Sequence, residues 1–256
     1  MISYDEYYAK YLGLKPGQKQ GILICNSALR DRFIGSRHPL VLSFLNRHQV
    51  AVSLSSDLFR SFSKFSAHIS AKRFSPIQWL KIIDDFVFDR FKTYNVGQYI
   101  RLTIKKDCFA QYNKRFPNVR ALKAIDKNLV LNQGNFTNRG MKYKNYCWEQ
   151  ILPQIKEERT FAIIKGNRIL SRASVDPIEC GSGNISVTTD SDHRGKGYGK
   201  AVVSAAVEWC FEKDILPVYY ARSDNIASLA LAKSLGFTVM NREIIVNHWP
   251  GDAKKV

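Results

Sequence analysis

Between residues 192 and 200 the chain reads Asp-His-Arg-Gly-Lys-Gly-Tyr-Gly-Lys, a run that limits the possible folds more than any other stretch. Gly195, Gly197 and Gly199 let the backbone turn tightly and bring successive N–H groups toward one point with no Cβ in the way. A β-branched run at 185–189 precedes the loop. An amphipathic helix pattern over 200–213 follows it, with Val203, Val207 and Cys210 beside Ala206 and Trp209. A strand that passes through such a loop into a helix offers an anion the helix's unpaired amides and the positive end of its dipole, so the junction suits a pyrophosphate. Arg194, Lys196 and Lys200 supply side-chain cations for the same anion. The spacing excludes a Walker A loop, which needs Lys-Ser or Lys-Thr after its second glycine. It also departs from the dinucleotide fingerprint, since Ala221 and Arg222 stand where an acid belongs at the end of the next strand.

Around this junction the pattern is β-hairpin, strand, helix, strand, helix, strand. Runs 160–165 and 168–175 are strand-like and joined by Gly166-Asn167, a pair that tolerates positive φ. Residues 215–221 read as a strand, 226–235 as a helix closed by Gly236, and 237–246 as a last strand. Farther forward, 21–25, 39–45 and 49–54 are short strands between turn formers. Leu58, Phe59, Phe62 and Phe65 recur at helical spacing after Ser56, read as the N-cap. A second helix starts from Ser75-Pro76, and 99–104 alternates as a half-buried strand with basic flanks at Arg101, Lys105, Lys106, Lys114 and Arg115. Near Pro117 the character changes: 118–122 opens a strand, 134–140 is a polar loop, and 148–158 suggests a short helix. The expected organisation is an N-terminal α/β domain over 1–116 and a second domain over 117–256, abutting without a flexible linker.

The chain has 256 residues, with 39 Lys and Arg against 22 Asp and Glu, for a formal charge of +17. Residues 1–150 hold 25 basic and 10 acidic side chains, so the front carries nearly all the surplus. A field of that sign concentrates anions, whether nucleic acid, acidic protein or a phosphorylated small molecule, although the basic residues are dispersed as on a solubilising surface. No apolar run approaches the roughly eighteen residues of a membrane span. The first residues lack the basic and then apolar layout of a secretory signal, so a cytoplasmic protein with no membrane partner is expected. Cys25, Cys108, Cys147, Cys180 and Cys210 are odd in number and contain no C-x-x-C pair, which signals neither a disulfide framework nor a zinc site.

Two motifs in order give the chain a resemblance to the GNAT superfamily of acyl-CoA-dependent N-acyltransferases. The first is R-x-x-G-x-G, from Arg194 to Gly199. The second, from Asn225 to Phe237, is similar to the family's N-x-A-S-x-x-L-x-x-x-x-G-F segment. The likeness covers roughly 118–250, and the first 116 residues carry no such motif. It implies an α/β fold whose rear half is a mixed, mostly antiparallel twisted sheet flanked by helices. A degenerate copy of the same fold is the model it offers for the front half. It also implies a V-shaped opening between the strands at 185–189 and 215–221, which receives the pantetheine arm of acetyl-CoA. Val187, Thr188, Thr189, Arg194, Gly195, Lys196, Gly197, Tyr198, Gly199, Lys200, Asn225 and Ser228 are the expected cosubstrate-binding residues, and direct transfer needs no metal.

The catalytic pattern is incomplete. Many GNAT enzymes place a Tyr seven positions beyond the Asn of the second motif, where this chain has Ala232, and a Glu on the strand before the loop, where it has Thr188. Tyr219, Tyr220 and Ser228 stand as substitutes for the acid, although paired tyrosines on a strand read first as packing. Glu179, Asp190, Asp192 and His193 are the nearby bases, and His193 has the most suitable ordinary pKa. The leading expectation is acetyl transfer to a primary amine of a small molecule. The alternatives are the same chemistry on a protein or an aminoacyl-tRNA, and a CoA-sensing or nucleic-acid-binding module without turnover. A homodimer stays open.

Overall fold

The computed structural model describes residues 1–256 apart from 16–20, 33–36, 48, 68, 70–73, 113–115, 117, 133–139 and 250–256. Lys114, Arg115, Pro117 and most of the polar loop read at 134–140 lie outside the described residues. The chain forms two compact units whose segments alternate along the sequence. One holds Met1–Ser3, Leu102–Tyr220 and Ile226–Thr238, and the other Tyr4–Arg101, Ala221–Asn225 and Val239–Val256. Among the described residues, no helix is long and apolar enough to cross a membrane.

The first unit contains β5 (Val119–Ala121), α4 (Lys127–Leu131), α5 (Met141–Lys156), β6 (Thr160–Lys165), β7 (Arg168–Glu179), β8 (Ser182–Thr189), α6 (Tyr198–Glu212), the main part of β9 (Leu216–Arg222) and α7 (Ile226–Ser234). Its strands lie in the order β9-β8-β7-β6-β5. Pairing is antiparallel from β5 through β8 and parallel between β8 and β9. Gly166, at φ 56°, makes the β6–β7 turn that the sequence marks. Helix α6 buries Ala201, Val202, Val203, Ala206, Val207 and Cys210. Leu122, Val130, Leu131, Trp148, Ile155, Ala162 and Ile169 form the cluster around α4 and α5. Helix α5 begins seven residues before the short helix the sequence suggests, because the polar first turns carry little apolar periodicity.

The second unit contains α1 (Tyr4–Leu12), β1 (Gly21–Asn26), β2 (Arg37–Asn46), β3 (Gln49–Leu54), α2 (Ser56–Ser66), α3 (Pro76–Phe88), most of β4 (Tyr94–Thr103) and β10 (Thr238–His248). The strand order is β1-β3-β2-β10-β4. Phe62, Trp79, Ile83 and Phe86 of α2 and α3 pack on Leu40, Leu42, Val50, Val52 and Leu54. The N-cap of α2 is Ser55, one residue before the position read from sequence. Asp31 takes the Ser56 N–H at 2.9 Å and the Ser56 hydroxyl at 2.6 Å, which pulls Ser56 into the first turn. The Ser75 capping box of α3 forms with Gln78, as the Ser-Pro start leads one to expect.

Helix α1 turns Tyr7, Tyr8 and Tyr11 inward, and their hydroxyls surround a fully buried ion pair. Arg101 donates from Nε to Glu243 Oε1 at 2.8 Å and from Nη2 to Oε2 at 3.0 Å, a bidentate fork. Its remaining donors reach Tyr7 Oη at 2.9 Å and Tyr11 Oη at 2.8 Å. Tyr8 Oη lies 2.6 Å from both Glu243 Oε1 and Ser43 Oγ. Burial opposes the Arg101 charge, yet Glu243 and the phenols hold it firmly protonated. Removing one member of such a pair strands the other charge in the interior, so Glu243→Ala should cost about 3–5 kcal/mol. Tyr8→Phe should cost about 1–2 kcal/mol. Chemical denaturation measures both, and a loss under about 1 kcal/mol for Glu243→Ala would mean that the pair is not sealed from water.

Candidate active site

The site is built where β8 separates from β9. Their parallel ladder runs only from Ser182↔Leu216 to Asn184↔Val218, whereas β8 continues to Thr189 along β7. On β7 a register shift between Val175 and Ile178 inserts extra chain opposite this point, and such bulges increase local twist. The Leu216 N–H donates to Gly181 C=O at 3.0 Å, and the Asp190 N–H donates to Leu170 C=O at 2.9 Å. Main-chain groups alternate sides along a strand, so those of Val187 and Thr189 face the edge that β9 has left, and those of Ser186 and Thr188 face β7. Of the three consecutive residues expected to bind the cosubstrate, Val187 and Thr189 therefore present open peptide groups. Thr188 presents an exposed side chain on one face of the sheet.

The open edge leads into the glycine loop. Asp190 organises it, taking the Asp192 N–H at 3.1 Å, pairing with Arg168 at 2.8 Å, and meeting His193 Nδ1 at 3.2 Å. The bond with His193 is the main reason its carboxyl stays below the usual range. His193 also stacks on Tyr198 at 6.2 Å, so the structure places it as an anchor of the loop. Gly195 and Gly197 adopt φ 76° and 84°, a region that side chains enter only under strain. Gly199 is pinched between helix and strand, where a Cβ would stand 2.9 Å from Leu231 Cδ1 and 3.2 Å from Thr189 Oγ1.

Gly197 is the N-cap of α6 and provides no side-chain cap, so the first-turn amides of Tyr198, Gly199 and Lys200 point outward without one. Around them Lys196 Nζ donates to Asp192 C=O at 3.0 Å, Arg194 Nε approaches Thr189 C=O at 3.4 Å, and Lys200 lies over the Tyr112 ring at 5.5 Å. An uncapped helix start with three cations close along the chain can hold a diphosphate.

The acid candidates separate. Tyr219 of β9 is 2% exposed, and its hydroxyl lies 2.6 Å from Ser228 Oγ on α7. Burial pushes the phenol above its usual pKa, and the bond to Ser228 partly offsets this. Ser228 and Ala232 are one turn apart on the same face of α7, and Ala232 is buried. A phenol thus reaches this face from β9, one turn away from the position where the family motif has Tyr. Tyr220 follows on the opposite face of β9 and is half-buried. Asn225 is exposed immediately before α7, its N–H donating to Arg222 C=O at 3.0 Å.

On the sheet face that carries Thr188, a second feature has no counterpart in the motifs. Arg172 of β7 stands directly across from Thr188, and Ser174 across from Ser186. Arg172, Ser174, Ser186, Thr160, Asp176, Gln154, Ile151 and Ile155 line a cavity of about 170 Å³. An arginine within a strand reads from sequence as an outward-facing charge, so nothing in the letters marks it.

Residues 63–242 match the family model described as GNAT acetyltransferase. The match begins far upstream of residue 118, where the motif resemblance starts, and takes in α3 and β4, which carry no motif. "Uncharacterized N-acetyltransferase YdfB" of Bacillus subtilis (strain 168) is 24% identical over 131 residues, 51% of this chain and 49% of that protein. The chain thus spans about half the length of the curated relative it matches. An acetyltransferase from the GNAT family of Colwellia psychrerythraea shares the fold with a TM-score of 0.50 at 14% identity, over 77% of this chain and 76% of that one. A Drosophila protein does so at 0.52 and 13%, over 83% and 75%.

Asp190→Ala would release Arg168, His193 and the Asp192 amide together. Hydrogen exchange across 191–199 should then quicken about tenfold or more while global melting shifts by only a few degrees. Unchanged protection would show that the loop holds its shape without this carboxylate.

Proposed function

The chain belongs to the GNAT acetyltransferase family, and from that premise we propose that it transfers the acetyl group of acetyl-CoA to a primary amine of a small molecule. One observation carries the reading: an unpaired strand edge at Val187 and Thr189 that runs into an uncapped helix start at Gly197. The first can pair with the amides of an extended pantetheine arm as an added strand would, and the second seats the diphosphate. Arg194, Lys196 and Lys200 neutralise the diphosphate charge.

In the proposed reaction the amine nitrogen attacks the thioester carbonyl carbon, and a main-chain N–H on the open edge of β8 steadies the oxygen as it gains charge. The C–N bond forms, the C–S bond breaks, and the thiolate leaves with the bonding pair. The nitrogen sheds its surplus proton to water, Ser228 donates a proton to the sulfur and recovers one from Tyr219, and the phenol, which burial disfavours as a phenolate, regains its proton from solvent, so that the net transfer is one proton from nitrogen to sulfur. Thr188 offers the amine no carboxylate, and Asp190 is committed to the loop. The amine therefore enters deprotonated, having lost its proton to water, and the rate climbs with pH toward the pKa of the amine itself. The +17 charge draws anionic acceptors toward the protein.

Calorimetric titration with acetyl-CoA should give saturable 1:1 binding in the micromolar range, weakened tenfold or more by Gly197→Glu, which strains the loop at φ 84° and forces a side chain against Tyr112 at the helix start. No heat at millimolar acetyl-CoA from a folded sample would end the proposal. In a thiol-release assay over an amine library, Tyr219→Phe should lower kcat about tenfold or more. Ser228→Ala should do the same without further loss in the double variant, and Tyr220→Phe should stay within about twofold. Equal effects of the two tyrosines would remove Tyr219 from the relay.

A further inference from the structure

Neither the cosubstrate nor the fold accounts for the position of Arg172. It sits in the middle of β7, opposite Ala162 on one side and Thr188 on the other. Among the described residues it makes no hydrogen bond and no ion pair, although burial depresses its pKa. The cavity it lines is otherwise polar: Gln154, Thr160, Ser174, Ser186 and Asp176, with Ile151 and Ile155 as the apolar wall. Asp176 is already engaged, since its Oδ1 takes Arg159 Nη1 at 3.1 Å and its Oδ2 takes Gln154 Nε2 at 2.7 Å. The guanidinium is therefore the unused charge of the cavity. Arg172 is half-buried, and a ligand that brings an acceptor into the cavity gives its guanidinium a partner that the described residues do not.

Resting on the acetyl-transfer reading, we propose that Arg172 is the specificity-determining residue for the acceptor, and that the acceptor is a small amine bearing a carboxylate, of amino-acid size. Arg172 and Thr188 are direct cross-strand neighbours, about 4.5–5.5 Å apart at the backbone. A carboxylate forked on Arg172 thus holds its amine within a few bonds of the open peptide edge at Val187 and Thr189. The cavity of about 170 Å³ has room for a short carbon chain with polar ends. Asp176 in the same wall repels a dianionic phosphate more than a singly charged carboxylate, and it favours the ammonium end of an amino acid in solution. The planar fork of arginine matches a carboxylate bidentately, with Ser174 and Ser186 placed to add donors.

The test uses the full chain, the common amino acids and the α-amide of each. Calorimetry or thermal shift with these probes reads binding, and thiol release from acetyl-CoA reads transfer. At least one acid should bind and be acetylated with kcat/KM ten- to a hundredfold above its amide. Arg172→Gln should collapse that ratio to within about twofold while the affinity for acetyl-CoA holds, and Arg172→Lys should restore part of it. If Arg172→Gln does not fold, Arg172→Lys and the acid-to-amide ratio of the wild-type chain carry the test. Acids and amides used equally, no amino acid bound, or a ratio unmoved by the Arg172 variants each overturns the inference. Failure of the transfer reading itself looks different: no acetyl-CoA binding with any probe present.

Discussion

Beyond Asn184, β8 parts from β9 while holding to β7, and its peptide groups on the parted side need partners that the first unit's own strands do not supply. Buried or half-buried main-chain groups are seldom left unpaired, so a gap of this kind persists where an extended ligand or water fills it. The loop that follows is shaped by the same geometry. Once β8 has diverged, the chain must reverse over α6 within a few residues, and Gly195 and Gly197 at positive φ make that reversal without strain. Gly199 then lets the helix start lie against Val187 and Thr189, so the strand edge and the helix amides form one continuous polar track. An added side chain at any of the three glycines disturbs a different part of that track: the turn, the cap or the helix-to-strand contact.

The two units solve their polar problems in different ways. In the first, the polar groups of the track are open. In the second they are closed inward, with a guanidinium and a carboxylate sealed among three phenols of one helix. Tyr11 receives guanidinium groups from both Arg30 and Arg101 near its ring, each 4.2 Å from the centroid. Charges held this way fix the registry of α1, β4 and β10, because each donor has one acceptor at bonding distance.

What could be read from the letters follows from this contrast. The glycine junction, the hairpin at Gly166-Asn167 and the segment after Asn225 are local signals in which spacing and residue type suffice, and the elements from β6 to β10 fall where those signals place them. Helix α1 was not legible. Its inward stripe is Tyr7, Tyr8 and Tyr11, amphipathic residues whose burial makes sense only with Arg101 and Glu243, which lie about 90 and more than 230 residues away in sequence. The start of α2 shifted by one residue for the same reason, since Asp31 comes from a distant loop. Arg172 was invisible because its meaning depends on a cavity assembled from α5 and three strands.

The cavity's arginine differs from the other arginines of the protein in what answers its charge. Arg101 is sealed and answered by Glu243; Arg159 is buried and answered by Glu157 and Asp176; Arg120 is half in water and answered by Asp126. Arg30, also buried, donates from Nη1 and Nη2 to the Tyr11 hydroxyl and carbonyl. Each of these four guanidinium groups thus has at least one acceptor within the protein. Arg172, half-buried on the sheet face that carries Thr188, has none among the described residues. The guanidinium that the described residues leave without a carboxylate thus lies across the sheet from Thr188, where the proposed acceptor would bring its own.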